Sequence, residues 1–461
     1  MVKNMKYYFI GINGIGMSAL AEMMVSQGAK VKGSDSSPSV NFSFFNNLGI
    51  EVHSQQSKEN IPDNSWKIII SSAIKPNNEE LIQAKAIGCQ IIKRGQLLAQ
   101  LMAQAKHQVG VMGTHGKTTT TSLIVSIFQQ FSNPSYFVGG HFNGKPHAIF
   151  SELDWFITEL DESDGSFLEM SPSNSVITNI EHEHIDFYPT KEEMVSAFEA
   201  SISETLSKDG VCAINLDDPI SEKIYKKYNS KDKFITYGIE SKNAQIQAQN
   251  IEYDWQGISF KLIINSTEAD CVRIHLFGRH NVYNALAAAA IAIHNQIPLK
   301  DILNGLSTFN GVKRRLELKY KANDIMLYDD YAHHPTEIIT TLEGVYKSFS
   351  NHRIITIFQP HRFSRLSNLF QQFAESFDRS SYSIIVPVFS AGEDEEGYKN
   401  SQDLVEEIKK YQDDVIYASS FNIVLEELNR IIQPKDIIIL MGAGSITKLA
   451  NDIIPLIKSG R

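Results

Sequence analysis

The sequence predicts an α/β protein of three domains: a Rossmann-like N-terminal domain, a central P-loop ATPase-like domain and a Rossmann-like C-terminal domain. Three observations carry this. At 461 residues the chain is about three times the usual domain length of roughly 150. Short apolar runs alternate with stretches of helical spacing along most of it, the pattern of strand–helix units. Twice, near residues 6–27 and 109–131, an apolar run meets glycines and then a helical stretch, which is the plan of a nucleotide-binding unit.

Taken in order, Lys6 to Gly16 reads as strand and tight turn, and Met17 to Gln27 as the helix after it. Ala29 to Gly33 and Lys67 to Ser72 are further strand candidates, with helices over Leu81 to Ile87 and Gln96 to Gln104. A first domain over 1–105 fits. The second start has a strand at Val109 to Met112, a glycine loop and a helix from Lys117 to about Phe131. Trp155 to Thr158 and Ser175 to Asn179 follow as strands, Ala244 to Ile274 alternates like antiparallel strands, and the Ala-rich Asn284 to His294 reads as a buried helix. This gives a central domain over 106–311. The third, over 312–461, has strands at Ile325 to Tyr328, Ile354 to Phe358, Ile384 to Val388 and Ile437 to Met441.

Composition bounds the function. Hydrophobic residues are 42% and charged residues 21%, near globular averages, and no run of about 18 apolar residues is present to cross a bilayer. The net charge of −10 argues against a general nucleic-acid surface and leaves small anions as the expected partners. Cys89, Cys212 and Cys271 are too few and too far apart for a disulfide framework or a zinc site. The opening MVKNMKYYFIGING lacks the pattern of a secretory signal, so a cytoplasmic location is expected.

The strongest local signal is Gly113-Thr114-His115-Gly116-Lys117-Thr118 between a strand and a helix. It is shorter than the usual phosphate loop, because Val111 stands five before Gly116. The physics is the same: glycines let backbone N–H groups approach phosphate, the helix start favours anions, Lys117 neutralises charge and the Thr118 hydroxyl suits Mg2+. A Gly-x-x-Gly-Lys-Ser/Thr string arises by chance in roughly 0.02 chains of this length, so a plain helix-capping turn is the weaker explanation. The opening Gly11, Gly14 and Gly16, with Asp35 after the second strand, resembles a dinucleotide fingerprint but has Asn at position 13. NAD, another nucleotide and a plain structural turn all remain open for it. Glu159 ends a strand and is followed by Asp161, Glu162 and Asp164, and His184 follows the next strand. In an open parallel sheet these groups would face the phosphate loop, where one carboxylate with Thr118 makes a reasonable Mg2+ shell. Asp161, Glu162 and Asp164 read more readily as a solvated acidic loop, and His182 with His184 could likewise be surface imidazoles. Arg362 and Arg365 follow a strand end, placed either to clamp an anion or to pair with the Glu393 to Glu396 run. Histidines such as His333 and His352 read more readily as surface or hydrogen-bonded groups than as catalysts.

GINGIGMSALAE, GTHGKTTTT, ELDESDGSF, TNIEHEHIDFY, GRHNVYNALAA, GVKRRLE, DDYAHHPTE, FQPHRFSR, FSAGE and GAGSI, in this order and spacing, resemble the Mur ligases of bacterial peptidoglycan synthesis. The resemblance runs from about Tyr7 to Thr447 and is nearest to the member acting on UDP-N-acetylmuramate and L-alanine. It implies an ATP- and Mg2+-dependent ligase with these two small-molecule substrates. It implies that Gly113 to Thr119 hold ATP, with Lys117 on the β/γ-phosphates and His280 by the adenine. It implies that Thr118 and Glu159 bind one Mg2+ and His184 a second metal. Asn281, Asn284, Arg315 and Asp330 resemble residues near the nucleotide. Gly14, Gly16, Ser18, Asp35 and Ser71 resemble the UDP end of the muramate site, so that the glycine opening would take UDP-sugar rather than NAD. His334, His361, Arg362 and Arg365 would face the amino acid and the substrate carboxylate. Two departures stand out: Asn13 replaces a usual glycine, which predicts an altered turn, and His182 is given no metal role. The alternatives are the family's ligase for recycled murein tripeptide and, from another class, a phosphate-loop switch ATPase or a nucleotide-sugar sensor.

Overall fold

The computed structural model describes residues 3–37, 41–142, 144–183, 187–228 and 231–459. Three sheets organise them. The first has strands β1 (Lys6–Ile10), β2 (Lys30–Ser34), β3 (Glu51–His53), β4 (Lys67–Ile70) and β5 (Ile91–Lys93) in the all-parallel order β3-β2-β1-β4-β5. The second has β6 (His107–Met112), β7 (Pro134–Phe137), β8 (Ala148–Ile149), β9 (Glu152–Glu159), β10 (Asn174–Ile177), β11 (Val211–Asn215), β12 (Phe234–Gly238), β13 (Ile246–Asp254), β14 (Gly257–Ile264) and β15 (Thr267–Ile274). Their order is β15-β14-β13-β12-β11-β10-β6-β9-β7-β8. The third holds β16 (Glu317–Ala322), β17 (Ile325–Asp330), β18 (Arg353–Phe358), β19 (Tyr382–Ile385), β20 (Val415–Tyr417) and β21 (Asp436–Met441), in the order β16-β17-β21-β18-β19-β20.

Strands covered on both faces by helices read as continuous apolar runs rather than alternating ones. That is why β4 (KIII), β18 (RIITIF) and β21 (DIIILM) were legible; β18 and β21 are almost wholly buried, and β4 is buried at Ile68 and Ile69. Of the strands that sequence reasoning missed, β3, β5 and β20 are three-residue edge strands and the antiparallel edge strand β16 (ELKYKA) is largely half-buried, while β7, β11 and β12 were missed inside the second sheet although they are buried.

The chain forms two compact units. One comprises Met1–Gln249, Leu262–Asp270 and Tyr283–Thr308 and contains the whole first sheet and most of the second. The other comprises Asn250–Lys261, Cys271–Val282 and Phe309–Arg461 and contains the third. Three sheets were expected and are present, but the first two share one unit. A single apolar cluster explains this, running from Phe9, Met17, Leu20 and Leu97 to Phe137, Phe156, Phe167 and Phe198. Polar contacts reinforce it: Arg94 meets Asp161 at 2.9 Å, and the His147 ring nitrogen Nε2 is 3.2 Å from the Ile15 carbonyl. No helix among the described residues is long and apolar enough to cross a membrane.

Candidate functional site

Ligands in open parallel sheets sit beyond the carboxyl ends of strands where the strand order reverses. In the second sheet that point is β6, between β9 and β10. The loop Gly113–Gly116 leaves β6, Glu159 ends β9, and Thr178 and Asn179 follow β10, so three chain segments far apart in sequence meet at one edge.

The loop is held from the β10 side. Asn179 accepts the Thr114 N–H on its carbonyl (3.0 Å) and the His115 N–H on its side chain (3.0 Å), and the Thr178 hydroxyl donates to the His115 carbonyl at 2.6 Å. The N–H groups of Gly116, Lys117 and Thr118 have no backbone acceptor among the described residues and open the helix Lys117–Phe128. These amides with Lys117 make a ready anion cradle. Gly116 adopts a left-handed conformation (φ 83°), and a Cβ there would lie 2.6 Å from Asn284 Oδ1. Asn284 in turn accepts the Thr120 hydroxyl at 3.1 Å, so it braces the loop and the helix behind it.

Lys117 does not reach into open solvent. Its ammonium donates to the Gly113 carbonyl (2.6 Å) and the Thr114 carbonyl (3.2 Å), and lies 2.7 Å from both carboxylate oxygens of Glu162, which is 1% exposed. Burial disfavours the ammonium. Glu162, with Asp161 and Glu159 behind it, more than offsets that and holds the Lys117 pKa above its ordinary value. Asp161 is anchored by the Ser163 hydroxyl and by Arg94, and these with Lys117 outweigh burial to hold its carboxyl below the usual range. The acidic run is therefore not a solvated loop at these two residues. The Thr118 hydroxyl donates to Glu159 Oε2 at 2.8 Å, and a Cβ on Gly139 would sit 2.0 Å from Glu159 Oε1, so this carboxylate keeps its position only against a glycine. Two oxygen donors this close at the end of the loop fit Mg2+, which prefers oxygen ligands. His184 lies outside the described residues. His182 has its Nε2 2.9 Å from the Tyr188 carbonyl, and Tyr188 donates to the Glu162 carbonyl at 2.9 Å, which gives His182 a bracing position.

In the first sheet the order reverses at β1, and the three predicted segments lie at one edge: Gly11–Gly16 after β1, Asp35 after β2 and Ser71 after β4. Only Gly11 of the three glycines has a positive φ (78°). Asn13 does not adopt a left-handed conformation. Asp35 Oδ2 accepts the Asn13 N–H at 2.9 Å and Oδ1 the Ser37 N–H at 2.8 Å. Ser18 donates to the Ile15 carbonyl within its own helix. A Cβ on Gly16 would come within 3.2 Å of the Arg94 guanidinium and 3.5 Å of the Phe137 ring, so this glycine serves packing between the two sheets.

The second unit gathers the remaining predicted residues except Asn284. The carboxylate of Asp330 ties two backbone segments, accepting the Leu316 and Ala332 N–H groups at 2.7 Å each, and burial lifts its carboxyl to about 6 against the pull of Arg315. Arg315 lies 3.5 Å from Glu337 and over the Tyr331 ring. His333 donates its backbone N–H to Glu337 at 3.0 Å, while His334 caps the helix Pro335–Ser348. His361 stacks on Phe389 with Arg365 at 3.5 Å, and burial, reinforced by His333, Arg365 and Arg362, pushes its ring down to about 4. A neutral imidazole among guanidinium groups suits an anionic ligand. Glu393 is taken by the backbone N–H and hydroxyl of Ser364. Asn281 donates to the Phe277 carbonyl at 2.7 Å, and the His280 ring packs where a Cβ on Gly278 would be. Sequence reasoning gave no role to Arg94 or Asn179. It placed Glu162 beside the phosphate loop only as one member of an acidic run, which carries no signal of which member is buried.

Comparisons with known proteins fit this arrangement. Three family profiles match: the Mur ligase family catalytic domain over residues 6–106, the Mur ligase middle domain over 111–292 and the Mur ligase glutamate ligase domain over 314–444. A UDP-N-acetylmuramate--L-alanine ligase of Sulfurihydrogenibium sp. is 39% identical over 97% of both chains. One of Brachyspira hyodysenteriae is 36% identical over 99% of this chain and 98% of its own. Among solved structures, the UDP-N-acetylmuramate-alanine ligase of Thermotoga maritima superposes with a TM-score of 0.83 at 25% identity, covering 99% of this chain and 100% of its own. A murein peptide ligase of Psychrobacter arcticus, at 22% identity and a TM-score of 0.70, covers 98% of this chain and 99% of its own and shares the fold.

Proposed function

Because the chain belongs to the Mur ligase family, we propose that it is an ATP-dependent ligase that joins L-alanine to the lactyl carboxylate of UDP-N-acetylmuramate, releasing ADP and phosphate, in peptidoglycan precursor synthesis. The observation that carries the chemistry is the strand-end loop in which Lys117, Thr118 and Glu159 converge. Full-length relatives named for alanine favour this amino acid over recycled tripeptide. A switch ATPase would leave the Arg315, Asp330, His361 and Arg365 cluster without a task.

A carboxylate is a poor electrophile. Transfer of the γ-phosphoryl of ATP to it makes an acyl phosphate, which the amine of alanine then attacks, with phosphate as leaving group. In this reading residues 1–105 bind the UDP-sugar through Gly14, Gly16, Ser18, Asp35 and Ser71. Residues 106–311 bind ATP through Gly113 to Thr119, and residues 312–461 supply His334, His361, Arg362 and Arg365 to the amino acid and carboxylate. Lys117 and the open amides of Gly116 to Thr118 orient the phosphates, and the guanidinium groups hold the carboxylate. Mg2+ held by Thr118 and Glu159 would offset charge on the β- and γ-phosphates. A reaction consuming ATP and a nucleotide sugar belongs in the cytoplasm.

The test is isotopic. Muramate labelled with heavy oxygen in its lactyl carboxylate should pass one label to inorganic phosphate. Label appearing in AMP, or unlabelled phosphate beside the alanine adduct, would overturn the acyl-phosphate route. Within the same assay, Glu159→Ala should lower turnover by about 10²-fold and raise the Mg2+ needed for half-maximal rate, because it takes away a metal ligand. His182→Ala should stay within about threefold, since it loses one bracing hydrogen bond worth about 1 kcal/mol. Equal damage from both substitutions would place the metal on the wrong side of the loop.

A further inference from the structure

We propose that Glu162 is the resting counter-ion of Lys117, a positioning residue that phosphate must displace, and that its charge sets nucleotide affinity and release. This rests on the ATP-binding reading of the Gly113–Thr118 loop.

The geometry is that of a closed ion pair. Lys117 Nζ is 2.7 Å from each Glu162 oxygen, and two further acceptors, the Gly113 and Thr114 carbonyls, complete its surroundings. An ammonium has three protons. With two on loop carbonyls and one in the carboxylate fork, a phosphate oxygen gains a proton from Lys117 only by drawing it off an acceptor. The loop carbonyls belong to the cradle itself, so the exchangeable partner is Glu162. Its backbone is fixed: the Glu162 carbonyl accepts the Tyr188 hydroxyl at 2.9 Å and the Gly165 N–H at 3.1 Å. The carboxylate therefore stays beside the cradle when phosphate arrives, a buried negative charge facing another. Asp161, the neighbouring acid, is engaged by Arg94 and Ser163 and is not a substitute partner for the lysine.

The pairing acts in both states of the loop. In the empty loop Lys117 is kept charged and seated, because its counter-ion is already in place. In the loaded loop the same carboxylate weakens the hold on phosphate, and ADP leaves more readily than it would from a cradle lined by cations alone. A residue present only for packing would do the first and not the second.

The experiment measures ADP binding by calorimetry, with Mg2+ present, in wild type and in Glu162→Gln and Glu162→Asp. The glutamine keeps an oxygen for Lys117 and removes the charge, and the aspartate keeps the charge and shortens the reach. Circular dichroism establishes that each variant is folded at the temperature used. Glu162→Gln should bind ADP at least about fivefold tighter than wild type, while Glu162→Asp should bind it no tighter than wild type. Unchanged or weaker ADP binding in Glu162→Gln overturns the proposal, as does equal tightening in both variants, which would make geometry rather than charge responsible. If wild type itself fails to bind ADP and ATP, the nucleotide reading of the loop is what falls.

Discussion

Lys117→Ala is expected to lower turnover by at least about 10²- to 10³-fold, the cost of removing one preorganised donor of about 3 to 4 kcal/mol from a transferring phosphoryl group. The structure adds an effect on the fold. Glu162 is buried and paired with Lys117, so the alanine takes a cation away from a buried carboxylate. Breaking one side of a buried pair costs about 3 to 5 kcal/mol. The lower end applies here, because Lys117 is 17% exposed and water can enter. A lowered Tm should therefore accompany the lost activity. The double variant Lys117→Met with Glu162→Gln separates the two effects: it should recover most of the Tm and none of the turnover. Thermal unfolding and the phosphate-release assay on the same preparations decide. Near wild-type turnover in Lys117→Ala would remove the lysine from the chemistry, and an unchanged Tm would remove the ion pair from the stability argument.

The same residues show how far the sequence could be read. The switch-point loops were legible because strands buried on both faces are unbroken apolar runs, and the loop leaving such a strand at its carboxyl end faces the ligand in an open sheet. Hence Gly113–Thr118, Glu159 and Asp35 were found in their places. Glu162 was placed beside the loop but not singled out, since its partner is a lysine 45 positions earlier in the chain and nothing in the run Glu159 to Asp164 distinguishes it from its neighbours. Arg94 was missed for the same reason: its partner Asp161 is 67 residues away. Gly16 illustrates a subtler limit. Its pattern suggested backbone approach to a pyrophosphate, whereas the atoms that a Cβ would crowd belong to Arg94, at 3.2 Å, with the Phe137 ring at 3.5 Å. Short edge strands such as β3 and β5 have too few residues to show any period.

Gly113→Ala should be nearly as damaging as loss of the lysine, and for a reason that lies wholly in the backbone. Gly113 has φ 137°, a conformation that side chains rarely adopt, and a Cβ built there would lie 2.0 Å from Thr178 Oγ1 and 2.9 Å from the Asn179 carbonyl. Those are the groups that hold the loop: Thr178 donates to the His115 carbonyl, and Asn179 accepts the Thr114 and His115 N–H groups. The methyl group cannot be admitted without pushing the end of β10 away from the loop, which moves Lys117 and Thr118 with it. A displacement of about 1 Å in positioning groups costs on the order of 10²-fold in rate, so kcat/KM should fall at least that far. Adding Thr178→Ala should restore only part, because the Asn179 carbonyl remains too close. Gly144→Ala is the control: it also has a positive φ (69°) but nothing within 4 Å of its Cβ, so it should lose about 1 kcal/mol of stability and little activity. Gly113→Ala within about threefold of wild type would mean that the β10 end yields easily, and the loop would then owe its shape to the nucleotide rather than to Thr178 and Asn179.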